Sequence, residues 1–138
     1  MLKKIKNYYL LFIITTFFFI SGPNSASENS SIISLGNKNA KTTVKVFSSL
    51  TCPHCAHFHT NVFKNLKSDF IDKGILKFEH HGFPLDLAAL NAEKILNCTN
   101  SLEKKLIFLN ELYEKQSNWA VGSDINSINS KLVKMAKN

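Results

Sequence analysis

The chain has 138 residues (15.6 kDa) and is 44% hydrophobic and 20% charged, a globular balance that argues against a disordered or fibrous protein. No apolar run reaches the roughly 18 residues of a confident membrane span, which excludes a polytopic membrane protein. The formal charge of +7 rests on seventeen lysines with no arginine, and this counts against a sequence-specific nucleic-acid reader, for which the bidentate arginine fork is the usual tool.

At the N-terminus, Lys3, Lys4 and Lys6 precede an apolar stretch from Tyr8 to Ile20. Small and helix-breaking residues follow, from Ser21 to Glu28. These are the three regions of a secretory signal, and they predict a signal peptide over residues 1–27, with an uncleaved N-terminal anchor as the alternative. Its removal takes three lysines and no acid, lowering the formal charge from +7 to +4. Export predicts a periplasmic chain whose cysteines meet an oxidising environment. The 111 residues from Glu28 onward suffice for one hydrophobic core but not two.

Along that stretch, Ile32-Ile33-Ser34-Leu35 is a short apolar cluster closed by the turn signal Gly36-Asn37. Thr42 to Phe47 is β-branched and aromatic and predicts a strand. Ser48 to Thr51 then leads into Cys52-Pro53-His54-Cys55. Phe58, Val62, Leu66 and Phe70 recur every four residues, predicting the apolar face of a helix. Pro53 suits its first turn, where the missing N–H costs nothing, and Gly74 suits its C-terminus. Ile75 to His80 predicts a second strand, closed by His81-Gly82-Phe83-Pro84.

Three helices complete the chain. Ala88, Ala92, Ile95 and Leu96 form one stripe after Asp86 as N-cap. Leu102, Leu106, Leu109 and Tyr113 form a second after Ser101, and Ile125, Ile128, Leu132 and Met135 a third after Ser123. Cys98 ends the first stripe and reads as a small buried hydrophobe. Trp119 reads as core or interface packing.

The chemistry lies at Cys52 and Cys55. Two cysteines two residues apart at a helix start can close a small disulfide ring. The first faces the positive end of the helix dipole, which favours thiolate over thiol. A stabilised thiolate is both the attacking species and a good leaving group in disulfide exchange. His54, between the cysteines, can add hydrogen bonding or charge that acts in the same direction. Cys55 lies one turn further in, as the less accessible resolving thiol. A c-type haem site is disfavoured, since Ala56 stands where its histidine belongs. The competing reading is a metal-binding module using Cys52, Cys55 and His59, because sulfur and imidazole suit zinc or copper. Otherwise His57 and His59 read as solvated helix residues, and His80 and His81 as structural or exposed.

Ser34 to Ala40, Val44 to Ser48 and Thr51-Cys52-Pro53-His54-Cys55-Ala56-His57-Phe58 together resemble the DsbA-like thiol:disulfide oxidoreductases. The match continues through Phe78 and Phe83-Pro84-Leu85. The helix bearing Ala88, Ala92 and Cys98, and later Trp119, is similar to the helical domain which that family inserts into a thioredoxin fold. The resemblance covers roughly residues 34–137 and is most specific over 36–58.

It implies an α/β, thioredoxin-like fold with 28–84 as its N-terminal part and 85–138 as an incomplete helical insertion. It further implies an oxidase donating the Cys52–Cys55 disulfide to reduced or unfolded exported proteins. Cys52 would form the mixed disulfide, Cys55 would resolve it, and Pro53 and His54 would tune it. No cofactor and no nucleic acid are implied; a membrane quinone-linked partner would reoxidise the pair. A disulfide reductase or isomerase is the nearest alternative. No proline follows Pro84, so the family's cis-proline loop, last two strands and closing helix lack counterparts. The expectation is a fragment of a longer protein rather than a natural short form completed by a partner.

Overall fold

The computed structural model describes residues 31–137, so the predicted signal peptide lies outside the described residues. Three strands form one sheet in the order β1-β3-β2, with β1 at Ile33–Gly36, β2 at Thr42–Ser48 and β3 at Leu76–Gly82. β1 runs antiparallel to β3, pairing Ile33 with His80, while β2 runs parallel to it, pairing Val46 with His80 and Ser48 with Gly82. A parallel pair needs a long crossover. The helical run α1 supplies it, as the consecutive segments Pro53–His57, Phe58–Val62, Phe63–Leu66 and Lys67–Ile71.

The predicted strands are present, and β3 extends past His80 because its pairing with β2 continues to Gly82. Gly74 ends α1 as expected, at φ +70°, with its N–H donating to the Ile71 carbonyl at 2.9 Å. Gly36 has φ +88°, and a Cβ there would lie 2.5 Å from the Leu76 carbonyl oxygen, so only glycine fits this turn out of β1.

The inward face of α1 differs from the predicted stripe. Val62 and Phe70 are exposed, and the buried positions are His59, Phe63 and Ile71. The segments Phe58–Val62 and Lys67–Ile71 are wound as π-helix. Each wide turn takes an extra residue, so the face set by a regular period is displaced. Phe63, Ile71, Leu76 and Phe78 then close the core between α1 and the sheet.

The remaining helices are α2 (Leu87–Leu96), α3 (Leu102–Glu114), the short α4 (Gln116–Trp119) and α5 (Ile125–Ala136). Asp86 and Ser101 are the N-caps predicted, accepting from the N–H groups of Ala89 at 2.7 Å and Lys104 at 3.3 Å. The cap of α5 is Asp124, one residue beyond the predicted Ser123. In α3 the predicted Leu102 is exposed, whereas Leu109, Leu112 and Tyr113 are buried. Trp119 is fully buried, its indole N–H donating to the Leu112 carbonyl at 2.8 Å. These side chains join Ala92, Leu96, Ile128 and Leu132 in a second core, against which Cys55 and Ala56 pack. Cys98 is exposed rather than buried: it follows the last turn of α2, and its thiol donates to the Lys94 carbonyl at 3.2 Å. Among the described residues, no helix is long and apolar enough to cross a membrane.

Candidate active site

β2 ends at Ser48, and Ser49 to Thr51 turn the chain into α1. Hydrogen bonds within the turn and with Phe83, Asp86 and Gln116 hold it in place. The N–H of Cys52 donates to the Ser49 carbonyl at 3.2 Å, and that of Phe83 donates to the Ser48 carbonyl at 2.9 Å. Thr51 Oγ1 donates to Asp86 Oδ2 at 2.7 Å, tying the turn to the start of α2. From α4, the buried Gln116 amide donates from Nε2 to the carbonyls of Leu50 at 2.8 Å and Cys52 at 3.1 Å.

Cys52 is the N-cap of α1, with extended backbone (φ −80°, ψ 119°), and Pro53 begins the helix as predicted. Cys52 and Cys55 are half-exposed free thiols, and Pro53 and His54 are exposed between them. The Cys52 thiol is pulled below its ordinary value of 9.0, chiefly by the backbone N–H of Cys55, against partial desolvation. The Cys55 side chain and the backbone N–H of His54 act in the same direction. This is the electrostatics of a helix start, where unpaired N–H groups favour an anion. Of the two contributions expected from His54, hydrogen bonding or charge, it is a hydrogen bond from its backbone N–H that acts on Cys52.

Behind the cysteines lies a buried polar network that the sequence reading missed. Tyr113 of α3 donates its hydroxyl proton to Ser48 Oγ at 2.8 Å. His80 Nε2 lies 3.3 Å from the Tyr113 hydroxyl oxygen and acts as donor to it, because the phenolic proton is directed to Ser48. Burial first, and the neighbouring histidines second, hold His80 down at about 4, so it is neutral. The Tyr113 hydroxyl is pushed up by burial, and negative charge on either cysteine pushes it further.

His59 is buried rather than solvated. Its Nε2–H donates to Asn110 Oδ1 at 2.6 Å, and its ring lies between Phe63 and Tyr113 with centroids 4.8 and 4.7 Å away. That placement directs it into the α1–α3 interface rather than toward a shared ligand point with the cysteines. Among the described residues, no three His, Cys, Asp or Glu side chains converge to hold a metal ion. His57 is exposed, and His81 lies 3.0 Å from Glu79 Oε2.

A family model described as thioredoxin matches residues 28–137. The chain belongs to the thioredoxin family. Within that family it is DsbA-like, as its sequence resemblance predicted. It is 30% identical over 89 residues to a Rickettsia bellii protein named "Putative protein-disulfide oxidoreductase", covering 64% of this chain and 34% of the relative. It is 36% identical over 87 residues to disulfide bond formation protein D of Bacillus subtilis, covering 59% and 38%. The crystal structure of Wolbachia pipientis α-DsbA1 superposes with a TM-score of 0.68 at 27% identity, covering 87% of this chain and 56% of that one. The chain thus spans little more than a third of the length of these curated relatives. The α/β fold with a helical insertion is the one expected.

Proposed function

We propose that this thioredoxin-family chain is an exported thiol:disulfide oxidoreductase acting as an oxidase through Cys52 and Cys55. The observation that carries the reading is a half-exposed Cys52 at the start of α1, its thiol lowered by the N–H groups of Cys55 and His54. The names of the Rickettsia and Bacillus relatives support it.

In the oxidised protein, a substrate thiolate attacks Cys52 Sγ. The Cys52–Cys55 bond breaks, its electron pair goes to Cys55, and Cys52 is left in a mixed disulfide. A second substrate thiolate then attacks the substrate's own sulfur in that bond and releases the Cys52 thiolate. The substrate dithiol is oxidised, the protein disulfide is reduced, and two electrons and two protons are exchanged. The helix start stabilises the released thiolate, which favours the reduced protein and makes its disulfide a stronger oxidant. Each unit by which the Cys52 pKa is lowered is worth about 1.4 kcal/mol, or about 30 mV for two electrons.

In this reading Pro53 and His54 tune the pair. Residues 28–84 are the N-terminal part of the redox domain and 85–138 its helical insertion. Substrates are reduced polypeptides outside the cytoplasm, and a membrane quinone-linked protein reoxidises the pair. Equilibration against graded glutathione buffers, read by thiol trapping and intact mass, tests the direction. Reduction of the pair by mildly reducing glutathione is expected. A pair that stays oxidised until the buffer is strongly reducing would instead indicate a reductase or a structural bridge.

A further inference from the structure

Glu93, on α2, is 8% exposed, and its Oε1 has no hydrogen-bond partner. One turn later the Oδ1 of Asn97 is likewise buried and unpaired. The amide orientation is fixed, since Nδ2 of Asn97 donates to the Glu93 carbonyl at 2.9 Å and leaves Oδ1 to face away. Residues four apart share one helix face, and both line an open cleft of about 310 Å³ with Gly82, Pro84 and Leu90. A Cβ at Gly82 would lie 2.6 Å from the carboxylate, so glycine at the end of β3 leaves the space that the carboxylate occupies. Lys94 lines the same cleft but, as the next residue on the helix, does not face the carboxylate.

A buried acceptor without a donor costs free energy, and two in one cleft invite a donor from outside. The donor should be cationic, because the stronger acceptor is a carboxylate. Two oxygens are too few for calcium or magnesium, which take six or more. A compact ammonium with three N–H donors suits one carboxylate and one amide oxygen. The apolar walls at Pro84 and Leu90 suit its methylene stem. We infer that the Glu93–Asn97 cleft binds a primary alkylammonium group, with the charge on Glu93 and Asn97 and the stem along Leu90 and Pro84. Neither Cys52 nor Cys55 lines this cleft, although the charge of Glu93, like theirs, acts on the Tyr113 hydroxyl.

The test is carbon-13 NMR titration of the Glu93 carboxyl in the full chain, with no variant required. n-Butylammonium should lower its apparent pKa saturably, whereas sodium chloride at the same ionic strength should not. A blocked lysine peptide binding at least tenfold more tightly than n-butylammonium would identify a polypeptide side chain as the source. Equal affinity would identify a free amine. E93Q should abolish the binding seen by amine-observed NMR, and Asn97→Ala should weaken it several-fold. Three results would overturn the inference: equal shifts with sodium chloride, tighter binding of n-butylguanidinium, or ordinary titration of Glu93 in the unliganded chain. The last would mean that another part of the chain already partners the carboxylate.

Discussion

Replacing Glu93 by glutamine should stabilise the chain at neutral pH and leave it unchanged in acid. Burial lifts the Glu93 carboxyl from an ordinary 4.5 to about 7. Between those values the folded chain holds a proton that the unfolded chain has released. Stability therefore falls as pH rises from about 4.5 to about 7, by about 1.4 kcal/mol per pH unit. Across the whole window the loss is about 3 kcal/mol. Glutamine keeps the shape and has no proton to lose. E93Q should match the parent near pH 4.5 and exceed it by about 3 kcal/mol at pH 8.

His80 acts with the opposite sign. Its imidazole is held at about 4 against an ordinary 6.5, so its contribution is lost as pH falls through that interval. Between about 4.5 and 6.5 the two slopes oppose each other in the parent, and E93Q should uncover the histidine slope. Urea unfolding of both proteins at half-unit pH steps from 4 to 8, without added amine, measures this. A difference that stays constant with pH, or an E93Q less stable at pH 8, would refute the reasoning. Either would mean that the carboxylate is already satisfied when charged.

Cys55→Ala should accumulate mixed disulfides with substrate proteins, and Cys52→Ala should accumulate none; equal trapping by both on non-reducing gels contradicts the assigned roles. Gln116→Ala leaves the Leu50 and Cys52 carbonyls without their side-chain donor, and should cost ~2 kcal/mol in urea unfolding. A loss below ~0.5 kcal/mol would show that Gln116 does not hold the turn. Trp119→Ala empties the centre of the helical core and should cost ~3–5 kcal/mol, and an unchanged midpoint would show that α3, α4 and α5 do not share that core.

The placing of Cys52 and Cys55 at a helix start was legible in the sequence because it is local. Cys52, Pro53, His54 and Cys55 are contiguous, and the N–H groups that act on Cys52 come from the same helical turn. The strands and the caps at Asp86 and Ser101 were legible for the same reason, since period and capping are set within a few residues. The inward face of α1 was not. A four-residue period assumes one winding, and the π turns at Phe58–Val62 and Lys67–Ile71 arise in the packing rather than in the apolar pattern. His59 takes a core position that pattern reading gives to an apolar residue, because Asn110, 51 residues away, supplies its hydrogen bond.

Tyr113 and Gln116 were missed for one reason: each is a side chain of the helical region whose partner lies far away in sequence. Tyr113 reaches Ser48, and Gln116 reaches Leu50 and Cys52, across more than sixty residues. Read along the chain, these residues look like ordinary polar or aromatic members of α3 and α4. The structure gives them a common function. Gln116 holds the turn that presents Cys52, and Tyr113 joins the end of β2 to the buried face of α3. The fold therefore places the cysteine pair on a turn clamped from the helical insertion, with Cys55 packed on its core. Loosening that insertion should disturb the cysteine pair even where neither cysteine is touched. Trp119→Ala is the discriminating case, since its indole N–H donates to the Leu112 carbonyl, within the insertion itself. If the clamp sets the geometry of Cys52, the pH midpoint of Cys52 alkylation should move in folded Trp119→Ala; an unmoved midpoint would confine the site's electrostatics to α1 itself.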